Sequence, residues 1–106
     1  MEPSRIQSLQ EALQLNPGNV FARYALAMEL MRSPQSEQAW EHFEILLAHH
    51  PDYTATYLQA GMHLVRQGRR SEARQVLAKG IEVAQIHGDQ HARSELEAAI
   101  NDLSEE

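Results

Sequence analysis

There is no cysteine in this chain. That absence removes disulfides and thiolate chemistry, and it suits a reducing compartment. A glycine-rich phosphate loop and a nucleophile elbow are also missing, so no motif speaks for catalysis. No uninterrupted apolar run exceeds five residues, which leaves nothing to cross a bilayer as a helix. Residues 1 to 16 lack a basic start followed by an apolar stretch, so they do not read as a secretory signal. Apolar residues recur at three and four positions rather than two, so no strand is expected. The formal charge of −6 over 106 residues disfavours the phosphate backbone as a partner. Together these absences predict a soluble cytoplasmic all-α chain with neither membrane nor nucleic-acid partners.

What is present is a repeat. Pro17 and Pro51 lie 34 residues apart, and the chain matches itself at that spacing. Leu9 falls on Phe43 and then Leu77, and Leu13 on Leu47 and Ile81. Met28 falls on Met62, Leu30 on Leu64, Ala27 on Gly61, Ala39 on Ala73, and Arg32 on Arg66. A fixed period of this size marks stacked copies of one supersecondary unit. The small residues let two helices approach closely, and the large ones fill the space beside them. Helix propensity explains one alanine, but not a small residue returning one period later.

The first full unit reads Arg23-x2-Leu26-Ala27-x2-Leu30, then Ala39-x3-Phe43, then Pro51. The second reads Tyr57-x2-Ala60-Gly61-x2-Leu64, then Ala73-x3-Leu77. This pattern resembles the tetratricopeptide repeat, a helix–turn–helix of 34 residues. Arg23 departs from the large apolar residue of that signature, Ala60 is smaller than the usual leucine, and Gln85 stands in place of its second proline. The resemblance implies an all-α helix–turn–helix stack, a solenoid of about six antiparallel helices. We expect one domain over 1–106: a leading half repeat at 4–19, repeats at 20–53 and 54–87, and a capping helix at 88–103.

Caps and breakers predict the helices. Ser4 caps a first helix to Leu15, ended by Asn16-Pro17-Gly18. Asn19 caps a second to Arg32; after the turn at Ser33-Pro34, Ser36 opens a third, reaching His49. A fourth spans Tyr53 to Gln67 and stops at Gly68, and Ser71 caps a fifth to His87. After Gly88-Asp89 a sixth runs to Leu103, with Ala92, Leu96, Ala99, Ile100 and Leu103 on one stripe. A terminal unit needs a polar outer face, and capping is the expected role of that helix.

The resemblance places partner peptides in a concave groove lined by the first helix of each unit. At that surface we expect Phe21, Tyr24, Met28 and Met31 from one helix and Leu58, Met62 and Val65 from the next. Helices apolar on so many sides are either covered by neighbours or held open for an apolar partner. Methionine suits the second use, being flexible and adaptable. Family members that grip acidic chaperone tails carry Lys, Arg and Asn there. This chain has Tyr24, Met28, Leu58 and Met62 instead, so that ligand is not expected. Arg32 and Arg66, at helix ends, form a possible charged rim, although interaction with the helix C-terminal dipole is the preferred account of them.

Two other groups of residues stand out. Arg66, Arg69, Arg70 and Arg74 cluster at one turn, but with no aromatic platform for bases to stack on. The six histidines show no metal-ligand spacing: Gly88 separates His87 from His91, and His42 and His63 stand alone. They read as histidines on polar faces, with no metal and no cofactor. The expected function is protein–protein interaction with a protein or peptide partner. The alternative is self-association, the groove being filled by a second copy or by the C-terminal helix.

Overall fold

In the computed structural model, which describes residues 4–104, six α-helices follow one another. They are α1 (Arg5–Leu15), α2 (Val20–Met31), α3 (Ala39–His49), α4 (Ala55–Arg66), α5 (Arg70–His87) and α6 (Gln90–Ser104). A single 3₁₀ turn, Ser36–Gln38, leads into α3, and no strand occurs among the described residues.

The helix ends follow from local chemistry. Ser4 and Gln7 form a reciprocal capping box: Ser4 Oγ accepts from Gln7 N at 3.1 Å, and Ser4 N donates to Gln7 Oε1 at 3.0 Å. Asn19 Oδ1 accepts from Ala22 N, and Asp89 Oδ1 from Ala92 N, both at 3.0 Å. Gly68 and Gly88 adopt φ of 77° and 68°, a left-handed conformation that glycine enters without penalty. Each closes its helix in the same way. Gly68 N donates to Val65 O and Arg69 N to Leu64 O; Gly88 N donates to Gln85 O and Asp89 N to Ala84 O. These pairs satisfy carbonyls that a helix end leaves open.

Two helix starts differ from expectation. Ser36 opens the 3₁₀ turn rather than α3 itself. Ser71 is not a cap but lies inside the first turn of α5, which begins at Arg70. The closing bonds at Gly68 turn the chain straight into α5, and Arg69 occupies the capping position. Its guanidinium there reaches the Glu72 carboxylate at 2.9 and 2.6 Å. That hydrogen bond holds the Glu72 pKa below its ordinary value.

The chain forms two compact units, Met1–His50 and Pro51–Glu106. In the first, α2 packs against both α1 and α3. Its interior holds Leu26, Leu30, Phe43 and Leu46, with Ala27 and Ala39 fully buried between larger neighbours. In the second, α5 packs against α4 and α6, and α6 also touches α4. Leu64, Leu77 and Leu96 are fully buried there, beside Tyr57. Each large apolar side chain so buried stabilises its unit by roughly 1.5–3 kcal/mol.

Two glycines set how closely the second unit packs. A Cβ on Gly61 of α4 would lie 2.5 Å from Leu77 Cδ2 of α5. One on Gly80 of α5 would lie 2.5 Å from Tyr57 Cβ of α4 and 3.1 Å from Leu96 Cδ1 of α6. Gly80 is therefore the point where three helices converge. His63 also belongs to the interior, only 1% exposed. This corrects its placement on a polar face: burial overrides the polarity of the ring, and its pKa falls accordingly, with Arg66 and Arg69 adding to the effect.

Candidate partner-binding surface

Each unit carries part of the expected surface. On α2, Phe21 is 74% exposed, and Tyr24 and Met28 are half-buried. Met31 is buried, at 8% exposure, and so belongs to the interior rather than to a partner-facing surface. It ends α2 directly after the fully buried Leu30, where the apolar faces of the helix turn inward together. On α4, Met62 is 39% exposed, with Leu58 and Val65 half-buried. Arg32 and Arg66 are both exposed at the ends of their helices.

The second unit holds an open apolar slot of about 170 Å³. Met62 and Val65 of α4, Leu77 of α5, and Ala99 and Leu103 of α6 line it, with Asp102 the one charged member. The slot exists because α6 packs against α4 and α5 through Leu96 and Leu103, while the small Ala99 leaves space over Met62. Met62 and Val65 were legible as candidates in the sequence. The α6 wall was not, because α6 falls outside the repeat and offers no second copy for comparison.

The first unit has a different cleft, of about 230 Å³, lined by Gln10, Leu13, Gln14, Arg23, Leu26 and His42. Arg23 Nη1 donates to His42 Nδ1 at 3.0 Å, so the imidazole carries its proton on Nε2. Burial, and secondarily the Arg23 charge, lower the His42 pKa. Arg23 Nη2 donates to the Pro17 carbonyl at 3.1 Å. His42 too is thus part of a packed polar contact rather than a solvated face.

The arginine cluster is engaged within its own unit. Arg69 pairs with Glu72, and Arg70 Nη2 donates to the Leu103 carbonyl at 2.7 Å, with Arg74 Nη2 at 3.5 Å from the same oxygen. Two guanidinium groups of α5 thereby hold the C-terminal end of α6, where the helix dipole is negative. Among the described residues no group of three His, Asp or Glu side chains is arranged to hold a metal ion. No described helix is long and apolar enough to cross a membrane.

No protein-family model matches the sequence. A solution structure of a tetratricopeptide repeat domain protein from Salinibacter ruber is 38% identical, with a TM-score of 0.78, covering 83% of this chain and 89% of that one. This chain belongs to the tetratricopeptide repeat family. A solution structure of a Bordetella parapertussis protein resembles this repeat protein over 98% of its length and 90% of the other chain, with 27% identity and a TM-score of 0.85. A TPR repeat-containing protein of Pseudomonas aeruginosa is 26% identical over 98 residues, 92% of this chain and 93% of that protein. For a tetratricopeptide repeat protein the general role is protein–protein interaction. The departures seen in the sequence are tolerated within the fold: Arg23 keeps a structural bond at the signature position, as Tyr57 does one repeat later.

Proposed function

We propose that the chain is a non-catalytic interaction module that binds an apolar or amphipathic peptide segment. The binding faces are those of the first helix of each repeat: Phe21, Tyr24 and Met28 on α2, and Leu58, Met62 and Val65 on α4. The observation that carries this reading is the open apolar slot beside Met62. A partner's apolar group entering that slot would leave water for an apolar lining, which is favourable. Absence of the carboxylate-gripping side chains turns the expected contact from charge toward apolar burial. No cofactor enters the reading, and a cytoplasmic location accords with the chain's lack of cysteine.

The test is selection of peptides from a random displayed library, followed by Met28→Glu and Met62→Glu. Both positions are accessible enough for a charge to stay hydrated in the free protein, whereas a complex would bury it unpaired. Binding is expected to fall sharply while the circular dichroism spectrum holds. A library that yields no binder, or binders indifferent to both substitutions, overturns the reading.

A second reading is self-association, favoured by the exposure of Leu15 (89%), Phe21 (74%) and Ile86 (80%). Sedimentation at several concentrations separates the two. A mass that rises with concentration, and returns to the monomer value in Phe21→Ser, supports self-association.

A further inference from the structure

We propose that Met62 is the site at which a hydroperoxide modifies this chain, and that its conversion to the sulfoxide turns the slot of the second unit from apolar to polar. The consequence for binding rests on the interaction reading above; the site of modification does not. Accessibility is the first argument. With no cysteine in the chain, no thiolate competes for the oxidant, and the methionine thioether becomes the target. Among the described methionines, Met31 is buried at 8% exposure, Met28 is half-buried, and Met62 is 39% exposed. The sulfur must meet the peroxide, so exposure sets the order of reaction. A sulfur lone pair forms the S–O bond as the O–O bond breaks. The second oxygen leaves with the O–O electron pair and the transferred oxygen's proton, as water from hydrogen peroxide. Sulfur gives up two electrons and the peroxide gains them.

Place is the second argument. Met62 lines the slot of about 170 Å³ together with Val65, Leu77, Ala99 and Leu103. That space receives the sulfoxide oxygen, so α4 can keep its packing against α5 and α6. At the buried Met31 the same oxygen would enter the closed interior of the first unit and disrupt it. At Met62 it stays hydrated in the free protein. An apolar group covering it would strip that water away and offer no donor in return. The sulfoxide is neutral. The opposed charges around the slot, Asp102 on one side and Arg70 and Arg74 at the Leu103 carbonyl on the other, therefore do not decide the outcome.

The experiment treats the full chain with dilute hydrogen peroxide and maps the product by tryptic digestion and mass spectrometry. Cleavage after arginine places Met62 in the peptide 33–66 and Met28 with Met31 in the peptide 24–32, where fragmentation separates the two. Sulfoxide should collect at Met62 while Met28 and Met31 remain mostly unmodified and the circular dichroism spectrum holds. The tightest peptide from the displayed library should then bind about tenfold more weakly, the effect of an unpaired polar group in an apolar contact. The two methionine sulfoxide reductases, one for each epimer, should restore the affinity with dithiothreitol as reductant. Peroxide should leave the affinity of Met62→Leu unaltered and still weaken that of Met28→Leu. Oxidation reaching Met28 or Met31 as early as Met62, or unfolding on oxidation of Met62, overturns the inference. So does a library peptide that binds the Met62 sulfoxide as tightly as the thioether, and that result leaves apolar peptide binding intact. A library without binders overturns the interaction reading and the binding consequence together, while the peptide map still decides the site.

Discussion

Arg23 and Tyr57 stand one repeat apart and hold the same backbone carbonyl in their respective units. Arg23 Nη2 donates to Pro17 O at 3.1 Å, and the Tyr57 hydroxyl donates to Pro51 O at 2.5 Å. Each bond ties the first helix of a repeat to the proline turn that precedes it. One task is therefore met by two unlike side chains, whose shared property is a donor at the end of a long stem. A tyrosine hydroxyl keeps its proton at ordinary pH in any case, and burial, and next the Asp52 charge, raise the Tyr57 pKa further.

Tyr57→Phe removes that donor and leaves the ring in place. The Pro51 carbonyl then loses a partner, and stability should fall by about 0.5–1.5 kcal/mol. Chemical denaturation with an unchanged slope would measure it. A midpoint equal to the parent protein's would mean that the bond contributes nothing net.

The two close-packed glycines should differ in cost. At Gly80 an added Cβ meets Tyr57 Cβ, an atom fixed by the backbone of α4, and Leu96 beyond it. At Gly61 it meets Leu77 Cδ2 at 2.5 Å and Cγ at 2.6 Å, atoms that lie beyond Cβ and can move by rotation of the side chain, as Tyr57 Cβ cannot. Gly80→Ala should cost about 1–3 kcal/mol by overpacking, reduced by the better helix propensity of alanine. Gly61→Ala should cost less. The reverse order in denaturant midpoints would contradict the three-helix junction.

The difference between these two glycines shows what the sequence could carry. Gly61 was legible because Ala27 occupies the same place one period earlier, and small residues recurring in register mark a helix contact. Gly80 falls on Leu46, so self-comparison hides it. Helix ends were legible where a capping side chain or a glycine marks them, as at Ser4, Asn19, Gly68 and Gly88. Ser71 misled because hydrogen bonds from Gly68 N and Arg69 N to the Val65 and Leu64 carbonyls, not a cap, decide where α5 starts. Among the surface candidates, Met62 and Val65 reach an open slot and Met31 does not. Periodicity gives the face of a helix, but not which neighbour covers it. His63 shows the same limit for a polar residue.

Thr56 is fully buried, and its hydroxyl meets no hydrogen-bond partner among the described residues. Valine has the same shape without the polar atom. Thr56→Val should therefore stabilise the chain, by about 1 kcal/mol, since a buried hydroxyl without a partner is unfavourable. Thermal unfolding reads the change directly. A clear loss of stability would show that the hydroxyl is hydrogen-bonded after all, for instance to water.

Arg70 and Arg74 should matter to the last turn of α6 and little elsewhere. Arg70→Ala removes the shorter contact to the Leu103 carbonyl, 2.7 Å against 3.5 Å for Arg74. Its loss should cost about 1 kcal/mol, and Arg74→Ala should cost less. Amide hydrogen exchange at residues 100 to 103 should quicken in Arg70→Ala while α4 and α5 stay protected. Uniform quickening would mean that the arginine supports the whole unit instead.

Acid should weaken the fold before its carboxylates titrate. His63 and His42 both have pKa values lowered in the folded state, His63 by burial and then Arg66 and Arg69, His42 by burial and then Arg23. In the unfolded chain each titrates near the usual histidine value of about 6.5. Below that value the unfolded chain takes up protons that the folded chain refuses, so stability declines with falling pH. The contribution is complete above about pH 6.5 and is lost progressively down to the lowered folded values, beneath which it levels off. The midpoint temperature measured from pH 7.5 to 5.5 should therefore fall, in a range lying above the ordinary carboxylate values. His63→Leu should flatten the slope even if its absolute stability differs, since leucine fills the site without titrating. His42→Gln should remove the remaining part. A slope unchanged in both variants would assign the acid sensitivity to other groups and contradict the burial of these two rings.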